Sequence, residues 1–240
     1  MRDDLRPYWL KKNYLRLRRG YTDFFLRPQC VSMGPYDNVM KPWYVHISGP
    51  NIEIGECFTA IGEPMHRVEV GVWGRSSGEG AISIGNGVLM SPGTRLSASD
   101  KITIGDGVMM ANGTYITDSD WHTVYDRTQR DERATPVVIE DNVWLGDHAT
   151  VLKGVTVGEN SVIAARAVVT RDIPANVIAA GNPAKVVKEL DPDRKITTRM
   201  DYYADPVGLE NFFDEVDKQV LADNSFWRWL FAVLYPASRP

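Results

Sequence analysis

The chain is poor in the residues that tie a fold together through covalent or metal links. Two cysteines, Cys30 and Cys57, stand among 240 residues. They are too few for a disulfide framework and lack the close spacing of a metal-binding pair, which suits a reducing cytoplasm. Histidine is scarce too, at four residues. No long hydrophobic run is present. The most apolar stretch, Phe226 to Pro236, is interrupted by Arg228 and falls far short of the roughly 20 residues that cross a bilayer. The opening Met1-Arg2-Asp3-Asp4-Leu5-Arg6 leads into no apolar segment of the kind a secretory signal needs. Charge of one sign is lacking as well, and a net charge of −4 gives no global reason to expect a nucleic-acid partner. With 43% hydrophobic and 24% charged residues the composition is that of a soluble globular chain.

What is abundant is a repeat. From Ile139 to Val169 an aliphatic residue returns at every sixth position: Ile139, Leu145, Val151, Val157, Ile163, Val169. A helix repeats at about 3.6 residues and a half-buried strand at about 2, so neither explains it. Short strands joined by corners and wound into an all-β solenoid do, each coil stacking on the last. The fifth positions, Val143, Ala149, Val155, Ser161, Ala167 and Ile173, are mostly small or β-branched and suit a narrow interior. Gly146 and Gly158 at the second position suit corners that need a positive φ. Earlier runs keep the spacing at Ile84, Met90, Leu96 and Ile102, then restart at Ile104, Met110 and Ile116.

The repeat fails over 117–137. An insertion in a solenoid must leave the stack as a loop, and loops on rigid scaffolds carry chemistry. This one holds His122 among Asp118, Asp120 and Asp126. A neutral imidazole serves as a general base near neutral pH, and a carboxylate on its other nitrogen fixes the tautomer. Asp118, Asp120 and His122 alternate, so in extended backbone they share one side. Asp120 is the candidate orienting group, with Asp118 or a backbone carbonyl as alternatives.

Val138-Ile139-Glu140-Asp141-Asn142-Val143-Trp144-Leu145-Gly146, Asp172-Ile173-Pro174 and Ala180-Gly181-Asn182-Pro183-Ala184-Lys185-Val186-Val187 carry a further signal. On these motifs residues 45–190 resemble the hexapeptide-repeat acyltransferase superfamily, in the branch of maltose, galactoside and antibiotic O-acetyltransferases. The resemblance implies a left-handed parallel β-helix of triangular cross-section with an extruded catalytic loop; the handedness comes from the resemblance alone. It implies acetyl-CoA as acyl donor, no metal, and a homotrimer with active sites between subunits. His122 then stands where the base that deprotonates the acceptor belongs. Trp144 matches the position lining the pantetheine arm, and Ala165 and Thr170 match further contacts to it. Arg171, Lys185 and Lys188 match the phosphate-binding cations. Where that branch places an asparagine and an aspartate near the sugar, this chain has Ser91 and Ser99, with Asp100 adjacent. Ser91 and Asn112 are the candidate acceptor contacts. A backbone N–H is expected to stabilise the oxyanion.

Three regions follow: an N-terminal extension over 1–44, the β-helix over 45–190, and a C-terminal helical extension over 191–240. Pro206 to Leu221 carries apolar residues at helical spacing. The tail is expected to cap the solenoid. The basic and aromatic N-terminus, with Lys11, Lys12, Arg16, Arg18 and Arg19, also allows peripheral contact with the inner-membrane surface. The activity expected is acyl transfer to a hydroxyl of a saccharide or small-molecule acceptor. A β-helical zinc hydrolase using His122 and His148, and a non-catalytic scaffold, are the alternatives.

Overall fold

The computed structural model describes residues 4–74, 78–130 and 133–235; Asp131 and Glu132 of the expected loop lie outside the described residues. Two compact units are present, one from Tyr21 to Ala204 and one formed by the residues up to Gly20 together with those from Asp205 onward.

In the larger unit the chain visits three sheets in rotation. Sheet I contains Ser32–Met33, Ile52–Ile54, Ala81–Ile84, Lys101–Ile104, Val137–Ile139 and Thr156–Val157. Sheet II runs through Asn38–Met40, Thr59–Ile61, Leu89–Met90, Met109–Met110, Trp144–Leu145, Val162–Ile163 and Val177–Ala180 to Lys185–Glu189. Sheet III contains Val45–Ser48, Val68–Val72, Arg95–Ala98, Tyr115–Thr117, Thr150–Val151 and Val168–Val169. Every neighbouring pair is parallel except the last in sheet II, where Lys185–Glu189 turns back antiparallel on Val177–Ala180.

The sixfold aliphatic residues are the columns of this stack. Ile84, Ile104, Ile139 and Val157 pair in register in sheet I. Met90, Met110, Leu145 and Ile163 do so in sheet II, and Leu96, Ile116, Val151 and Val169 in sheet III. All twelve are buried. A coil of three hexads therefore places one apolar column on the inside of each sheet, and burial of that surface holds coil on coil. Ser161, the one polar member of the fifth positions, is buried too. Its hydroxyl donates to Pro174 O at 2.7 Å and accepts from Val177 N at 3.2 Å.

Two expectations need correction. The ladders begin at Ser32, inside the segment expected as an N-terminal extension, because Ser32–Met33 and Asn38–Met40 already pair with the next coil. The corner glycines also act differently from the reading above. Gly146 and Gly158 are not among the positive-φ residues; the left-handed positions come two residues later, at His148 and Asn160. A Cβ on Gly146 would stand 2.7 Å from Ala165 N, and one on Gly158 2.3 Å from Ala175 N. These glycines are there for the close approach of the next coil. Asparagine fills left-handed corners at Asn142, Asn160 and Asn176, as its short polar side chain allows. Their side chains also form a ladder, Asn142 Nδ2 to Asn160 Oδ1 at 2.9 Å and Asn160 Nδ2 to Asn176 Oδ1 at 3.0 Å.

The smaller unit is helical. Tyr8–Tyr21 begins within it, Pro206–Val220 fills the segment with helical spacing, and Phe226–Leu234 follows. Asp205 caps the second helix by accepting from Gly208 N at 2.9 Å, with Pro206 in its first turn. The two ends of the chain pack on each other. Lys11 pairs with Asp217 at 2.6 Å, Lys12 with Asp214 and Arg19 with Glu210, and Trp9 stacks on Phe226. Among the described residues no helix is long and apolar enough to cross a membrane.

Candidate active site

The loop leaves the stack between Tyr115–Thr117 of sheet III and Val137–Ile139 of sheet I, one residue inside the expected bounds at each end. Its base is tied down. Asp118 is fully buried, and its two carboxylate oxygens accept from Ser99 N and Asp100 N of the preceding coil, each at 2.7 Å. Asp118 O accepts from Thr135 N at 2.9 Å, which closes the two ends of the loop together. Ser119 Oγ then accepts from Trp121 N at 3.1 Å. Trp121 takes φ 67°, a left-handed conformation costly for a bulky residue. That turn ends the extended alternation expected for 118–122, so Asp118 points inward while Asp120 and His122 are exposed.

Among the described residues no carboxylate of the loop meets the imidazole. Asp120 Oδ2 pairs with Lys153 Nζ at 2.6 Å, and Asp120 approaches His122 only through its carbonyl, which accepts from His122 N at 2.8 Å. The orienting role expected of the Asp120 side chain is corrected accordingly. Asp126 accepts from Thr128 Oγ1 at 2.5 Å and Thr128 N at 3.1 Å, and those bonds hold its carboxyl below the usual range. Asp118 serves the backbone, and burial pushes its carboxyl above the usual range. Among the described residues the His122 ring has no hydrogen-bond partner. An exposed imidazole on an anchored stem can turn either nitrogen toward an incoming ligand.

Beyond His122 the loop folds back along the edge of sheet III toward an earlier coil. Arg130 Nη2 donates to Trp73 O at 2.6 Å and Nη1 to Gly74 O at 3.3 Å, while its guanidinium lies 5.9 Å from the Trp121 ring centroid. Beneath this strap is a cleft of about 350 Å³ with His46, Glu69, Trp73, Arg95, Tyr115 and Trp121 in its walls. His122 is adjacent in sequence to one wall residue but does not line the cleft. Sequence reasoning passed over this surface. The signal was there: His46, Glu69, Arg95 and Tyr115 each precede a buried aliphatic, Ile47, Val70, Leu96 and Ile116, in successive coils.

The remaining predicted residues are spread around the stack. Thr170 and Arg171 share with the His122 loop the corner leading from sheet III to sheet I. Ser91, Asn112 and Ala165 lie at the corner between sheets II and III, across the width of sheet III from that loop. Trp144 is on sheet II, half exposed, and Lys185 and Lys188 are exposed on its last strand. One chain does not bring these groups together. His148 is also at the II–III corner, with Nδ1 on the Asp147 carboxylate. His122 and His148 therefore sit at opposite edges of sheet III, and one chain does not bring together the ligand pair of the zinc alternative. Among the described residues no three His, Cys, Asp or Glu side chains are placed to hold a metal ion.

Residues 136–171 match the bacterial transferase hexapeptide family (six repeats). A Saccharomyces cerevisiae relative whose name carries the word acetyltransferase is 53% identical over 72 residues, 30% of this chain and 37% of that one. The galactoside O-acetyltransferase of Escherichia coli is 34% identical over 123 residues, half of each chain. The chain thus spans half or less of the length of these curated relatives. Among solved structures, a mutant of AntD, an N-acyltransferase from Bacillus cereus in complex with dTDP-4-amino-4,6-dideoxyglucose and coenzyme A, is 18% identical with a TM-score of 0.55. That likeness covers 83% of this chain and 96% of the other, and it is one of fold. The resemblance read from the motifs is borne out by these matches.

Proposed function

We propose that the chain is an acetyl-CoA-dependent acyltransferase that acts on a hydroxyl of a saccharide or other small acceptor by direct transfer in a ternary complex. His122 takes the acceptor's proton as its oxygen attacks the thioester carbonyl, and coenzyme A leaves as the thiol. The observation that carries this reading is the loop itself: a hydrogen-bonded stem presents an exposed imidazole, with no hydrogen-bond partner among the described residues, beside a lined cleft. The similarity to a galactoside O-acetyltransferase favours a saccharide acceptor. Asp120 contributes by holding the loop to Lys153 rather than by polarising the ring.

We propose also that the protein is a homotrimer with composite sites wound as a left-handed β-helix. The spread of the candidate residues supports it: Trp144, Lys185 and Lys188 lie on sheet II, away from the His122 corner, and on this reading they reach coenzyme A from a neighbouring chain. Thr170 and Arg171 come from the His122 side of such a groove, and Ala165, Ser91 and Asn112 from the facing one. A thiol-release screen with acetyl-CoA against sugars, nucleotide-sugars, amino acids and antibiotics tests the activity. Release driven by a sugar hydroxyl is the expected result, and none with any acceptor would overturn it.

For the termini we propose contact with a membrane surface by apolar area rather than charge. Trp227, Phe231 and Leu234, spaced four and three residues apart, form an exposed stripe on Phe226–Leu234. Lys11, Lys12 and Arg19 are already paired with acids. Vesicle flotation is expected to be insensitive to salt and to be lost on W227S/F231S. Binding that disappears at high salt would count against the apolar mode.

A further inference from the structure

The cleft on sheet III holds more polar chemistry than a base and a thioester need. His46 is in register with Glu69, Glu69 with Arg95, and Arg95 with Tyr115. Neighbouring strands lie about 4.8 Å apart, so this column runs about 14 Å along the stack, away from the loop. Among the described residues the side chains of His46 and Glu69 have no hydrogen-bond or ion-pair partner. Arg95 is not paired with Glu69. Its guanidinium lies 4.1 Å from the Tyr115 ring centroid, an arrangement that uses its face and leaves the N–H groups in its plane free to donate. Trp73 and Trp121 stand at the margin, joined by the Arg130 bridge.

We propose that this face of sheet III is a binding subsite for an uncharged oligosaccharide, held by Glu69 and Arg95 along the ladder and by the Trp73 and Trp121 indoles at its edge. A sugar ring fits each part of it. Its hydroxyls donate to the Glu69 carboxylate and accept from Arg95, and its C–H face packs on an indole. The length of the column exceeds one pyranose ring, so the ligand is a chain of at least two. A nucleoside diphosphate fits less well. The Glu69 carboxylate repels phosphate, and Arg130, the other arginine of the cleft, is already spent on the carbonyls of Trp73 and Gly74. As an acceptor subsite it rests on the acyl-transfer reading, with the reactive hydroxyl at the His122 end and the rest of the glycan reaching toward His46.

The test is calorimetric titration of the full chain without acetyl-CoA. The probes are glucose, maltose and maltotriose, with galactose and lactose as a second series and thymidine diphosphate as the charged rival. Affinity is expected to rise about tenfold from the monosaccharide to the longer sugars in one series. The Glu69→Ala and Arg95→Ala variants should reduce that rise to about twofold or less while their unfolding midpoints stay at that of the parent. Four results would overturn the subsite: no sugar binding, equal affinity at every length, preference for thymidine diphosphate, or variants that keep the length dependence. Length-dependent binding in a protein that fails to transfer acetyl groups would sustain the subsite and count against the acyl-transfer reading instead.

Discussion

His122→Ala is expected to lower kcat for acetyl transfer by about 10²–10⁴-fold, the usual contribution of a positioned general base. KM for acetyl-CoA should stay near its parent value, because the imidazole is not assigned to the coenzyme. The fold should not register the change. The ring is exposed and makes no hydrogen bond among the described residues, so the unfolding free energy should move by no more than about 0.5 kcal/mol. That pairing of a large kinetic loss with an unmoved stability is the signature to look for, using thiol release and a urea titration on the same preparation. Asp120→Asn provides the contrast. Its carboxylate pairs with Lys153 at the surface, and such pairs are worth about 0–1 kcal/mol, so a much smaller kinetic loss is expected. Full activity in His122→Ala would mean that another group takes the proton. A loss in Asp120→Asn as deep as that in His122→Ala would restore the carboxylate to the imidazole.

How much of this could be read from the residues alone differs from part to part. The stacked columns were legible because one hydrophobic residue per hexad is a strong, regular signal, and Ile139, Leu145 and Val151 fall on three different sheets as that period requires. The corners were half legible. Glycine has two uses, positive φ and close approach, and the letter does not say which; at Gly146 and Gly158 it is close approach. The first coil was missed although Met33, Val39 and Val45 keep the sixfold spacing and are buried, because one coil is too short a run to stand out and the spacing slips before Ile52 and Ile54. In the loop the failure was one of backbone. Alternation along Asp118, Ser119 and Asp120 presumes an extended chain, whereas the Ser119 hydroxyl and the left-handed Trp121 bend it. Three acids near one histidine therefore suggested a dyad that the fold spends elsewhere, on two backbone amides, a lysine and a threonine. The ladder from His46 to Tyr115 was hidden for a different reason. Its members lie twenty or more positions apart in sequence, and only the register of sheet III makes them neighbours.

Asp118→Ala is expected to have the largest effect on stability of any change in the loop. The side chain is fully buried and is the acceptor for Ser99 N and Asp100 N. Removing it leaves two amides without partners, at about 1–3 kcal/mol each, so a loss of about 2–6 kcal/mol should appear in a urea titration. Acetyl transfer should fall as well, because the stem that aims His122 is no longer held to the coil before it. Asp118→Asn keeps one oxygen acceptor and should lose less of both. The same pair of proteins tests the electrostatics with a definite sign. Burial raises the Asp118 carboxyl above the usual 3.8, and the two amides offset this only in part. The folded chain then binds more protons than the unfolded chain just above that pH, so the contribution of Asp118 declines as pH rises through the window and levels off beyond the folded value. The stability difference between the parent and Asp118→Asn should therefore shrink with rising pH across that window. If it grows instead, the amides outweigh burial and the carboxyl is held below its ordinary value.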